Sequence, residues 1–184
     1  LVIGGGFGVQ NTAPLELDIA EGDVTLQGSQ KNVGGTSDWN GDVALDGAIL
    51  MLHGGTATGT GTVTNVNPGS SITSRLNQGA VLFESPLVLD QTLSINSPNG
   101  NNLLQVVGPI SGAGGLNAVG NGSKRLSGTN TYAGPTTITG NGTLLFGSRA
   151  SLYGGDTSLW TDTSLVVNSG SGAGFSVGGE GQVT

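Results

Sequence analysis

Apolar residues in this chain fall in short runs of three to five, separated by Gly, Asn, Ser, Thr and Asp. Several runs alternate strictly: Leu15/Leu17/Ile19, Val24/Leu26, Leu87/Leu89 and Leu93/Ile95. Alternation places one row of side chains inward and the next outward along a β-strand. The pattern predicts strands at Leu15–Ile19, Asp23–Leu26, Val43–Leu45, Ile49–Leu52, Thr62–Val66, Ala80–Phe83 and Leu87–Leu89. It continues at Thr92–Ile95, Leu103–Val107, Lys124–Leu126, Thr136–Ile138, Thr143–Phe146, Ser164–Val167 and Phe175–Val177. No segment carries apolar residues at helical spacing over a helical length, and Gly or Pro interrupts every candidate, so little or no helix is expected.

Weak self-similarity runs through these strands. Gly47-Ala48-Ile49-Leu50-Met51, Gly79-Ala80-Val81-Leu82-Phe83 and Gly142-Thr143-Leu144-Leu145-Phe146 share a glycine, a small residue and three apolar residues. Their offsets, 32 from 47 to 79 and 63 from 79 to 142, suggest one and two steps of about 32 residues. A period in that range points to a solenoid, in which each coil buries its apolar row only against its neighbours.

The composition fits coils with many corners. Of 184 residues 36 are glycine, without the every-third spacing of collagen. Glycine reaches left-handed backbone angles freely, and Asn-Gly pairs favour turns; the chain has them at Asn40-Gly41, Asn99-Gly100, Asn121-Gly122 and Asn141-Gly142. Only 9 % of residues are charged, and mean hydropathy is +0.06, which separates the chain from disordered sequences. The net charge of -7 and five scattered basic residues, Lys31, Arg75, Lys124, Arg125 and Arg149, argue against a nucleic-acid partner. No apolar run approaches the roughly 20 residues of a membrane helix, so no membrane insertion by this segment is expected.

One motif is more specific. Leu126-Ser127-Gly128-Thr129-Asn130-Thr131-Tyr132-Ala133-Gly134-Pro135-Thr136-Thr137-Ile138, followed by Gly142-Thr143-Leu144, resembles the autotransporter-associated β-strand repeat of bacterial surface proteins. The residues that carry the likeness are Leu126, Gly128, Asn130, Thr131, Tyr132, Gly134, Thr136 and Ile138. Pro135 departs from it, standing where a small residue is usual, and the gap from Ile138 to Gly142 is about one residue longer than the family pattern. The resemblance implies a passenger-type parallel β-helix, export and surface exposure. Absence of cysteine agrees with an extracellular setting. With neither a starting Met nor a basic leader, the chain reads as a segment of a longer precursor. Within the motif, Asn130 is expected at a corner with its amide bonded to backbone. Tyr132 is expected to pack its ring with a wet hydroxyl, and Thr136 and Ile138 to open the next strand.

Candidate chemistry is sparse. His53 is the sole histidine and reads as an exposed strand-end residue. Asp18, Glu21 and Asp23, beside Glu16, form the densest acidic cluster and a weak Ca²⁺ candidate, although no calcium-loop motif surrounds them. A solvated acidic face is the plainer reading. Asp38, Asp42 and Asp46 with Trp39, and Asp156 and Asp162 with Trp160, are the groups that a polysaccharide-acting β-helix could use. Trp39, Asp42 and Trp160 are therefore the candidate glycan contacts.

The expectation is a single all-β domain over residues 1–184, a single-stranded right-handed parallel β-helix (β-solenoid). It would be a non-enzymatic structural or adhesive rod with no cofactor, catalytic residue or committed metal site. Its expected partners are copies of itself stacked end to end, adjoining repeats of the same precursor, or a surface glycan. The alternative is a polysaccharide-binding or polysaccharide-degrading β-helix protein.

Overall fold

The computed structural model describes residues 1–4, 22–34, 40–53, 55–56, 60–75, 79–159, 161, 164–168 and 174–177. In chain order the first strands are β1 (Val2–Ile3), β2 (Val24–Gln27), β3 (Gln30–Gly34), β4 (Val43–Asp46), β5 (Ile49–His53) and β6 (Gly55–Thr56). There follow β7 (Val63–Asn67), β8 (Ser71–Ser74), β9 (Ala80–Phe83), β10 (Leu87–Leu89), β11 (Leu93–Asn96) and β12 (Leu103–Val106). The last are β13 (Ile110–Ser111), β14 (Leu116–Val119), β15 (Ser123–Leu126), β16 (Thr136–Thr139), β17 (Thr143–Phe146), β18 (Leu165–Asn168) and β19 (Gly174–Val177). Helical structure among the described residues is limited to three single 3-10 turns between Arg149 and Leu159.

Three parallel sheets result, of six, seven and six strands. The first runs β1-β2-β4-β7-β10-β13, the second β3-β5-β8-β11-β14-β16-β18, and the third β6-β9-β12-β15-β17-β19. From β4 to β15 the chain visits the three sheets in rotation, each coil lies on the previous one, and the whole is a parallel β-solenoid of about five turns.

The coil length is read directly from the register. Val24 pairs with Val43, Val43 with Val63, Val63 with Leu87 and Leu87 with Ile110, steps of 19, 20, 24 and 23 residues. The 32-residue spacing of the sequence is therefore not the coil. Gly47 precedes β5 in the second sheet, whereas Gly79 and Gly142 precede β9 and β17 in the third, three coils apart. Glycine followed by apolar residues marks any corner leading into any strand, so it recurs on different faces. The longest steps described join Thr136 to Leu165 and Thr143 to Gly174, 29 and 31 residues, and accommodate the 3-10 turns.

Alternation sets the core. Val24, Val43, Val63, Leu87 and Ile110 form one inward column; Leu50, Ile72, Ile95, Ala118 and Ile138 form another; Phe83, Val106, Leu126 and Phe146 form a third, and all are buried. Burying each large side chain contributes about 1.5–3 kcal/mol. The sequence pattern missed β3, β8, β13 and β14 as well as the two-residue strands β1 and β6. Strand β3 has one large apolar residue, Val33, and β8 has one, Ile72; the stacked neighbours, not intrinsic preference, hold such segments extended. The expected strand Leu15–Ile19 lies outside the described residues.

Candidate functional site

The motif Leu126–Ile138 forms a corner that ties three coils together. Asn130 is fully buried. Its Oδ1 accepts the Ile110 amide at 3.0 Å, 20 residues back, and its Nδ2 donates to the Ser151 carbonyl at 2.7 Å, 21 residues on. One side chain thus satisfies backbone groups on the coils before and after its own, as the sequence led one to expect of its amide. Gly128 and Gly134 lie against the backbones of Gly108 and Gly114, where a Cβ would overlap. Thr131 is exposed, and its amide donates to Ile110. Leu126 and Ile138 point into the core, and Thr136 opens β16.

Tyr132 departs from expectation. Its hydroxyl is not wet: the side chain is buried, and the hydroxyl pairs with Thr136 Oγ1 at 2.5 Å. The Tyr153 ring packs against it at 5.3 Å between centroids, tilted by 52°. The Tyr153 hydroxyl donates to the Ser164 carbonyl at 2.6 Å and lies 3.0 Å from that of Gly134. Burial pushes the Tyr132 phenol well above its ordinary range, so this pair stays protonated and serves as packing.

A second polar cluster occupies the corner between the second and third sheets. His53 is buried, not exposed, because the coils on either side cover the end of β5. Its Nδ1 lies 2.9 Å from Arg75 Nη1. Arginine only donates, so Nδ1 accepts and the ring proton sits on Nε2, which has no hydrogen-bond partner among the described residues. Burial, and then the Arg75 charge, lower the His53 pKa. One coil further, Asn102 Nδ2 donates to the Arg75 carbonyl at 2.6 Å, and Ser97 Oγ donates to the Asn102 carbonyl at 3.2 Å.

Beyond these residues sits Lys124, buried in the inward row between Leu104 and Leu144. Its ammonium donates to the carbonyls of Gly122 at 2.8 Å and Gly120 at 3.2 Å. Lys31 does the same at another corner, donating to Gln27, Gly28 and Ser29 at 2.9–3.2 Å. Two of the five basic residues are thus internal corner braces, not surface charges. Alternation carried the signal in Ser123-Lys124-Arg125-Leu126: if Leu126 faces in, so does Lys124.

Of the candidate glycan and calcium residues the structure describes Asp42 and Asp23, together with Asp46 and Asp156 of the two acidic groups. Asp42 is exposed, and its Oδ1 accepts the Thr62 amide at 2.8 Å; Asp46 accepts from Gln27 at 2.9 Å and Asn67 at 2.6 Å. Both carboxylates staple neighbouring coils, and the two amide donors hold Asp46 below its ordinary pKa. Asp156 is engaged by Ser158 through its amide at 2.9 Å and its hydroxyl at 2.6 Å. Trp39, Trp160, Asp38 and Asp162 lie outside the described residues, as do Asp18, Glu21 and Glu16. Asp23 is exposed, and its carbonyl accepts from the amino group of Leu1 at 2.9 Å. Among the described residues no three His, Cys, Asp or Glu side chains gather as a metal site.

The outward rows are neutral over much of the surface. The middle sheet presents Ser71, Ser94, Asn117 and Thr137 in one register row, and the first sheet Thr25, Ala44, Thr64, Val88 and Ser111. Such rows form flat, uncharged ladders at the roughly 4.8 Å strand spacing. No protein-family model, curated protein or solved structure matches this chain.

Proposed function

We propose that this chain is a non-enzymatic rod segment of an exported bacterial surface protein, structural or adhesive in role, related to the autotransporter-associated repeats. The observation that carries this reading is where the polar side chains go. Asn130, Asp42, Asp46, Lys31 and Lys124 are each engaged within or between coils rather than gathered around a cleft. Side chains used this way stiffen the stack and leave no convergent acid, base or nucleophile among the described residues. Low charge and absence of cysteine support an extracellular setting.

One exposed apolar position supports association with like material. Val167, in the last strand of the second sheet, continues the inward column above Ile138 yet is 47 % exposed. Open strand edges recruit further strands. In this reading the rod continues end to end, through adjoining repeats of its precursor or through another copy. Heterologous contacts of that kind give filaments. Light scattering coupled to size exclusion, with negative-stain microscopy across a concentration series, tests the self-stacking arm. Oligomer ladders or filaments are expected; a monomer at every concentration overturns self-stacking. Hydrolysis or lysis of polysaccharide by the purified chain would overturn the non-enzymatic assignment.

A further inference from the structure

We propose that the outward face of the second sheet binds a neutral, extended polysaccharide laid along the rod axis, an inference that rests on the adhesive reading above. Parallel pairing stacks Ser71, Ser94, Asn117 and Thr137 in one outward row, in unbroken register from β8 to β16. Two residues further along their strands stand Asn96, Val119 and Thr139. All seven side chains are half-exposed, whereas Thr73, which begins the second row, is buried. None of the four strands holds a charged residue. The other two sheets do carry outward charge, with Asp46 on the first and Arg125 on the third.

Neighbouring side chains set one another on this face. Ser71 Oγ lies 3.2 Å from Thr73 Oγ1, and Thr139 Oγ1 donates to Asn117 Oδ1 at 3.2 Å. Asn117 Nδ2 and the hydroxyls of Ser94 and Thr137 bond no other side chain among the described residues, so they face water with their donors available. The result is a rigid ladder that offers a hydroxyl or an amide at each coil.

The chemistry of the face narrows its partner. A phosphate, carboxylate or ammonium pressed against it would lose water and meet no opposite charge, which is costly. A second protein surface fits poorly on grounds of size. All seven strands, at about 4.8 Å each and about 13 Å wide, cover on the order of 400 Å², roughly half of one partner's share of a stable interface. The four strands also lack the aromatic anchors that such interfaces favour. A neutral polymer with regularly repeated hydroxyls meets both limits. Coils recur at about 4.8 Å, close to the length of one sugar ring in an extended β-linked chain. Ser71, Ser94, Asn117 and Thr137 can then each meet one of four successive sugars. Hydrogen bonds exchanged with water contribute little singly, so affinity comes from repetition and grows with the length of the rod.

The test is co-sedimentation of the folded full chain with microcrystalline cellulose and with fully acetylated chitin, corrected for protein that sediments alone. Immobilised polygalacturonate serves as the charged comparison, and each is measured at low and high salt. Binding to at least one neutral polymer is expected, stronger than to polygalacturonate and unchanged by salt. Ser94→Asp places a charge mid-row and should weaken binding at least tenfold. Ser111→Asp, the same change on the first sheet, should leave it intact. Ser94→Ala combined with Thr137→Ala adds no charge and should weaken binding several-fold, which tests the face independently of any effect of aspartate on folding. Failure of the parent to bind either neutral polymer, equal binding by parent and Ser94 variants, or binding abolished by salt overturns the proposal. Dimers seen by light scattering in the parent and lost in Ser94→Asp overturn it too, because the face would then serve a second copy. Self-stacking of the rod is read separately from filament formation, so each result stands without the other.

Discussion

The Lys124 ammonium lies 2.5 Å from the point at which a side chain would begin on Gly142, one coil further along. The same point overlaps the carbonyl oxygens of Gly120 and Gly122, the two groups that hold the ammonium. Glycine at 142 and lysine at 124 are therefore one structural unit: the missing Cβ makes room for the brace. Gly142→Ala must displace backbone as well as the lysine, and overpacking of this kind costs about 1–3 kcal/mol. Gly100→Ala, at an exposed position with no described atom within 4 Å of the added Cβ, should change stability by no more than about 0.5 kcal/mol. Urea midpoints of the two variants give the comparison; equal midpoints would show that the corner yields freely.

Asn130 makes the second prediction. Asn130→Ala leaves the Ile110 amide and the Ser151 carbonyl without their partner inside the stack, at about 1–3 kcal/mol for each group left unsatisfied. Asn130→Asp keeps an acceptor for Ile110 but loses the donor to Ser151 and buries a charge, so it should be no milder than alanine at neutral pH. Thermal unfolding of both variants at neutral pH tests the order. An alanine variant as stable as the parent would mean that water enters the corner and replaces the side chain.

Much of the fold was legible before the structure, and the reason is periodicity. Ala80–Phe83, Leu87–Leu89 and Thr143–Phe146 are found at the bounds that alternation gave, because each carries its own apolar row. Strands such as Gln30–Gly34 and Ser71–Ser74 were not legible, since their extension depends on the coil beneath them. The corners divide in the same way. Asn130 could be placed because its motif is local, whereas the Tyr132–Tyr153 pair depends on 3-10 turns in the longest coil, which no period predicts. His53 was misread because its burial comes from neighbouring coils and not from its own strand.

His53 should make the chain sensitive to acid. Its Nδ1 accepts from Arg75, so the folded state requires the neutral ring, and burial followed by the Arg75 charge lowers its pKa. An unfolded histidine titrates near 6.5. The stabilising contribution is complete above that value. It is lost as pH falls from there through the folded-state pKa, because the unfolded chain takes up the proton first. His53→Gln keeps an acceptor for Arg75 and cannot titrate. Denaturation midpoints at mildly alkaline and mildly acidic pH should fall less on acidification in this variant than in the parent, and parallel falls would assign the acid sensitivity to the carboxylates instead.

Lys124 should act at the opposite end of the pH scale. Burial lowers its pKa to about 8, against roughly 10.4 for a free lysine. At neutral pH the folded state therefore carries a charge that burial disfavours. As pH rises above about 8 the folded lysine gives up its proton while the unfolded one retains it, so stability rises through that window and levels off near the unfolded value. Burial lowers Lys31 in the same direction, and the raised Tyr132 and Tyr153 phenols oppose the trend once free tyrosine ionises near 10. The comparison is therefore between the parent and Lys124→Met over the range from neutral pH to about 9.5, just below the tyrosine range. Methionine fills the space between Leu104 and Leu144 without a charge, and replacing buried charge by an apolar group of similar volume is often neutral or stabilising. The variant should be at least as stable as the parent at neutral pH, and its stability should rise less steeply towards alkaline pH. A variant that is much weaker at neutral pH would show that the bonds to Gly120 and Gly122 outweigh the cost of burying the ammonium. A parallel rise in both proteins would place the titrating group elsewhere.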